Sequence, residues 1–339
     1  MSEYIIENEV LKAVINSKGC ELTSVVRKSD NGEFMWDGNP DAWKRHSPVL
    51  FPLIGKYKND TCHYNGYEYH MSQHGFARDM EFALVNKTDT SIIMKLTETE
   101  ETLAKYPFTF ELECGFELQE NSIKVIWNVM NTNNIDMFFS IGGHPAFVNP
   151  DKKGSLAGCS LDFNTSADSI KYSLLDDNGL LTDEIHSLQL TSRVDSINAH
   201  AEQHWNNENI SHDTNHNINN NANHNTNCNV NNNANRNIKT ATITSDMFDL
   251  DAMVIENTQA SQVSLSYENK PFVTVDFSAP VFGIWSPVKK NVPFVCIEPW
   301  YGRADRASFN GELSEREWGN TLGANETFSR DYTITFATL

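Results

Sequence analysis

Positive charge is scarce in this sequence. Its 26 lysines and arginines face 45 aspartates and glutamates, leaving a formal charge of -19 over 339 residues. Nucleic acid and anionic membrane surfaces need basic footprints, so neither is an expected partner. Long apolar runs are also missing. Nowhere do about eighteen apolar residues follow one another, which excludes a membrane-spanning helix. The opening MSEYIIENEV has no basic segment, no apolar segment and no small-residue cleavage site, so no secretory leader is expected. Paired cysteines are absent as well. Cys20, Cys62, Cys114, Cys159, Cys228 and Cys296 are scattered with no CxxC spacing. That distribution suits reduced, buried thiols in a cytoplasmic protein rather than a disulfide scaffold or a structural zinc site.

Convincing amphipathic helices are nearly absent, and SADSIKYSLLD is too short to change the class. Period-two alternation takes their place. In FTFELECGFEL, Phe108, Phe110, Leu112, Cys114, Phe116 and Leu118 share one face. After the turn QEN, Ile123, Val125, Trp127 and Val129 alternate again in SIKVIWNVMN. QVSLSYEN, KPFVTVDFSAP, PFVCIEP and DYTITFATL repeat the pattern. With 39% hydrophobic and 11% aromatic residues a sizeable core is available. The pattern predicts an all-β chain, a large antiparallel β-sandwich forming a single domain over 1–339.

One stretch departs from this grammar. Between Asn206 and Asn237, 17 of 32 residues are asparagine, interleaved with His212, His216 and His224. Such composition buries too little apolar area to offset its ordering entropy. Residues 198–240 are therefore expected to be a disordered low-complexity insertion on the surface, separate from the fold and the site.

Three segments place a titratable residue beside glycine or proline at a strand end. They are MSQHGFARD with His74, Arg78 and Asp79, SIGGHPAF with His144, and FVCIEPWYG with Glu298 and Trp300. Proline after His144 and after Glu298 favours extended backbone at both, while Gly142 and Gly143 allow close approach or positive φ. Each residue alone has a bland reading as a core histidine or a strand-end charge. Together they predict a cluster of acid–base groups on stiff corners.

These motifs are specific in combination. HGFARD at 74–79, GGHPAF at 142–147 and IEPWYG at 297–302 resemble those of the aldose 1-epimerase (galactose mutarotase-like) family, in its short bacterial branch associated with lactose and galactose metabolism. HSPVLFPLIGKYKND at 46–60 and FDLDAMVI at 248–255 resemble further landmarks of that branch. The resemblance implies a supersandwich that binds a sugar across a concave sheet. It implies Glu298 as general base, His144 as general acid and His74 as a group polarising the ring oxygen. Asp251, or its neighbour Asp249, would hold hydroxyls, and Trp300 could stack on the sugar's C–H face. The reaction implied is interconversion of the α and β anomers of a hexose by ring opening and closure, with no metal or other cofactor. The protein would be a monomer or a homodimer. Where the better-known galactose mutarotases have an arginine before the first histidine, this chain offers Lys56, with Arg78 as a possible substitute.

Four alternatives stay open on sequence alone. A phosphorylated hexose would need a basic cluster, for which Lys44, Arg45, Lys56 and Arg78 are the candidates. His74, His144 and Glu298 could instead make a two-histidine, one-carboxylate metal site. A sugar-binding sandwich without turnover would keep the aromatic platform and Asp251. A hydrolase would need two carboxylates, drawn from Asp249, Asp251 and Glu298.

Overall fold

The computed structural model describes residues 2–151, 154–196 and 235–338. The chain divides into two compact units, the first comprising Met1–Thr191 with Lys239–Leu339 and the second Ser192–Ile238. Most of the second unit, including the tract from Asn206 to residue 234, lies outside the described residues. The end of the stretch predicted as an insertion is ordered differently from that expectation. Asn235–Thr242 is a strand, and its residues Lys239–Thr242 pair with Phe163–Ser160. The β-branched and apolar residues of IKTATI supply strand propensity that the preceding asparagines lack.

The first unit is an antiparallel sandwich. One sheet runs, in spatial order, through Leu181–Gln189, Ser169–Leu175, Met253–Glu256, Val281–Trp285, Phe294–Tyr301, Ile141–Gly143 and Val49–Leu50. The facing sheet includes Cys159–Phe163, Gln262–Tyr267, Lys270–Phe277, Thr327–Phe336, Ser122–Asn131, Phe110–Gln119, Ser91–Thr97 and Ala83–Lys87. The two alternating segments read from the sequence form its central hairpin, with Phe110 opposite Asn131 and Gln119 opposite Ser122. SADSIKYSLLD contributes the strand Ser169–Leu175, not a helix. Among the described residues the one α-helix is the single turn Glu100–Leu103, capped by the Thr99 side chain, and no helix is long and apolar enough to cross a membrane.

Strand Phe294–Tyr301 shows how the sandwich creates a site. All eight of its residues are buried. Val295, Ile297 and Tyr301 join the main core, together with Leu112, Val125 and Trp127 of the facing sheet. Strand side chains alternate between faces, so Phe294, Cys296, Glu298 and Trp300 point the other way. Phe294 and Cys296 pack there with Trp36 and Ala146, and Trp300 packs with Leu50, Ile54, Val254 and Val281. Glu298 is thus a carboxyl in a row of apolar residues, on the sheet face that carries the cavity. The five described cysteines are free and buried, as expected.

Candidate active site

A cavity of about 320 Å³ opens on that face, within the range of small-molecule sites. Trp300 forms part of its wall. A Cβ on Gly142 would lie 2.6 Å from Trp300 Cδ1, and one on Gly283 would overlap the far end of the same ring. Both glycines sit on strands that flank Phe294–Tyr301, so the indole lies across two positions without side chains. Gly143 likewise leaves room for the Tyr332 hydroxyl, which a Cβ would approach to 2.6 Å. Of the two explanations offered for Gly142 and Gly143, close approach applies; neither has positive φ.

His144 lies on the corner between Ile141–Gly143 and Ala146–Val148. Its Nε2 is 3.3 Å from Glu298 Oε2, with both side chains buried. The contact lacks hydrogen-bond alignment, and Glu298 Oε2 and His144 Nδ1 have no other partner among the described residues. Aromatic rings hold the imidazole instead. Trp43 stacks on it at 4.8 Å and 27°, and Trp285 meets it edge-on at 5.4 Å. Burial, reinforced by the positive charge of Arg78, lowers the His144 pKa to about 3. Burial pushes the Glu298 carboxyl well above the ordinary range, and the nearby Asp251 charge adds to the rise. Each group is therefore driven towards its neutral form.

His74 is fixed by its backbone. It adopts φ +66°, unusual for a non-glycine residue. Its N–H donates to the Gly55 carbonyl at 2.8 Å, and the Gly55 N–H donates to His74 Nδ1 at 3.1 Å. Burial, with Arg78 and His144 nearby, holds its pKa well below the usual imidazole value. Neutral His74 accepts at Nδ1, so its proton sits on Nε2 and that edge is a donor. The ring lies 5.7 Å from that of His144, nearly perpendicular to it.

Arg78 follows on the short 3-10 turn Ala77–Asp79. Its Nη2 donates to the Gln73 carbonyl at 2.5 Å. Burial, together with neighbouring Arg45, lowers its pKa to about 10. Asp251 is aimed from a strained position at φ +74°. Its Oδ1 accepts from Trp285 Nε1 at 2.8 Å and from the Ala252 N–H at 2.9 Å, locking the carboxylate.

His74, Arg78, His144, Asp251, Glu298 and Trp300 all line this one cavity. Lys56 does not. Its ammonium lies 4.0 Å from Asp60 and its stem runs past the position of Gly179. Asp249 lines a separate surface hollow beside Phe248, Lys289 and Lys290. Trp43, Gln73 and Trp285 line the cavity and were not singled out by their sequence context. His144 and Glu298 stand side by side in this cavity.

The aldose 1-epimerase family model matches residues 2–316, and the chain belongs to that family. Among similar proteins, the plasmid and chromosomal forms of LacX from Lactococcus lactis subsp. lactis are each 25% identical over 97% of this chain and 98% of their own length. Among solved structures, a galactose mutarotase related enzyme from Lactobacillus acidophilus is 31% identical with a TM-score of 0.78, covering 99% of this chain and 98% of that one. A galactose mutarotase-like protein from Lactobacillus casei ATCC 334 is 26% identical with the same TM-score of 0.78, covering 99% of this chain and all of the other.

Proposed function

We propose that this protein is an aldose 1-epimerase, an isomerase that interconverts the α and β anomers of a neutral aldohexose such as galactose or glucose. The observation that carries the reading is the buried contact of His144 Nε2 with Glu298 Oε2, at 3.3 Å inside one sugar-sized cavity.

With the cavity empty, burial favours carboxylic acid and neutral imidazole. Moving one proton across the contact gives carboxylate and imidazolium with no change in total charge. Trp43, stacked on the imidazole, offsets part of the cost of the cation. The Glu298 carboxylate then takes the proton of the C1 hydroxyl while His144 protonates the ring oxygen. The bond from C1 to the ring oxygen breaks and the open-chain aldehyde forms. Rotation about C1–C2 presents the other carbonyl face. Closure returns the proton from the C5 hydroxyl to His144 and delivers the Glu298 proton to the carbonyl oxygen. His74 donates from Nε2 to the ring oxygen or an adjacent hydroxyl. Arg78 and Asp251 hold hydroxyls at the rim, and Trp300 presents an apolar surface to the C–H face.

Freshly dissolved α-glucose and α-galactose, followed by polarimetry with and without protein, test the reading. Accelerated decay of rotation to the equilibrium value is the expected result. Decay at the buffer rate with both sugars, alongside measurable sugar binding, would make the protein a non-catalytic sugar binder.

A further inference from the structure

We propose that His144, Cys296 and Glu298 together form a binding site for a soft divalent cation such as Zn²⁺, and that an ion held there inhibits the enzyme. The inhibition rests on the acid–base reading of His144 and Glu298; the binding does not.

The imidazole nitrogen, the thiol sulfur and a carboxyl oxygen lie within 4.8 Å of one another, and all three residues are buried. Nitrogen, sulfur and oxygen are the ligands that zinc accepts, whereas magnesium and calcium take oxygen alone. The backbone sets the triad. Cys296 and Glu298 are two residues apart on one strand and share a face. Ala146, two residues beyond His144, pairs directly with Cys296. Three protein ligands leave the fourth tetrahedral position for water or substrate.

A second observation points to a ligand. Glu298 Oε2, on a side chain only 1% exposed, has no hydrogen-bond partner among the described residues. His74 stays outside the set because its Nδ1 already accepts from Gly55. As the ion binds, the Cys296 thiol proton and the Glu298 carboxyl proton both pass to solvent. The ion would then occupy the lone pairs that Glu298 and His144 use for proton transfer. Anomer exchange has no step for Cys296, so the thiol separates metal binding from turnover.

Co²⁺ added to the full-length chain tests the site, because a cobalt–thiolate bond gives a sulfur-to-metal charge-transfer absorption that histidine ligation does not. The band is expected in the wild type and in Cys228→Ser, and is expected to vanish in Cys296→Ser and Cys296→Ala. Cys296→Ser keeps the side-chain shape, and its unchanged thermal unfolding would show that loss of the band is not loss of fold. In polarimetry, Zn²⁺ should inhibit the wild type and a chelator should restore it. Cys296→Ser should need more than about tenfold more Zn²⁺, since even outer-shell partners are worth that much to a metal site. Absence of the band in the wild type, or its persistence in Cys296→Ser, overturns the site. A Cys296-dependent band in a protein with no anomer exchange keeps the metal site and removes the acid–base reading.

Discussion

Trp300 owes its place to what two neighbouring residues lack. In Gly142→Ala the new methyl would meet Trp300 Cδ1 and Ile54 Cδ1. Overpacking of this kind costs about 1–3 kcal/mol, so a lower Tm and a weaker kcat/KM are expected together; a variant unchanged in both would show that the indole is not pinned. His144 gives a pH signature. Its folded-state pKa is lowered to about 3, against roughly 6.5 in an unfolded chain. Between those values an unfolded chain binds the proton that folded His144 does not, so the His144 contribution to stability rises with pH across that window and is lost as pH falls through it. His144→Gln should flatten this acid limb in thermal unfolding from pH 4 to 7, while an unaltered limb would mean that His144 is not held neutral. Sequence made His74, His144 and Glu298 legible because glycine and proline mark their corners. Lys56 was misplaced because chain position beside Gly55 does not reveal that the side chain turns towards Asp60. Trp43 was missed because its contact with His144 joins segments 101 residues apart, a pairing that no local pattern encodes.

At the scale of elements, strand Phe294–Tyr301 and the two loops above it assemble the cavity. The alternation in PFVCIEP identified a strand, and its side-chain period put Cys296, Glu298 and Trp300 on one face. The partners of that strand, Val281–Trp285 on one side and Ile141–Gly143 and Ala146–Val148 on the other, follow from topology and not from local propensity. SADSIKYSLLD went unrecognised as a strand because a short segment with two adjacent leucines fits both periods. Above the sheet, Lys290 Nζ donates to the Asp41 and Ala42 carbonyls at 3.0 and 3.2 Å. It thereby ties the loop after Trp285 to the turn that carries Trp43. In Lys290→Met those bonds are lost, each worth about 1 kcal/mol. A loss in kcat/KM of a few-fold is expected, together with a fall in Tm of a few degrees. No kinetic change would mean that Trp43 is positioned without this tie.

For the whole molecule, the charge of -19 is a term in stability separate from the sandwich core. Self-repulsion opposes the compact state, and at about 0.15 M ionic strength the screening length is only ~8 Å. The Tm at pH 7 should therefore rise as sodium chloride is added from near zero to that level, and a fall would show that favourable ion pairs outweigh the repulsion. The all-β class was legible from alternation sustained over many segments. The division of those strands into two sheets was not, since pairing between distant strands leaves no periodic trace. The proposed acid–base pair is a long-range pairing of the same kind, with 154 residues between His144 and Glu298. Its most direct test is the anomer-exchange rate of Glu298→Gln, measured by polarimetry beside sugar binding on the same preparation. Retained binding with exchange slowed by about 10² to 10⁴-fold is the predicted result, as for loss of a general base. Exchange at the wild-type rate would contradict the assignment.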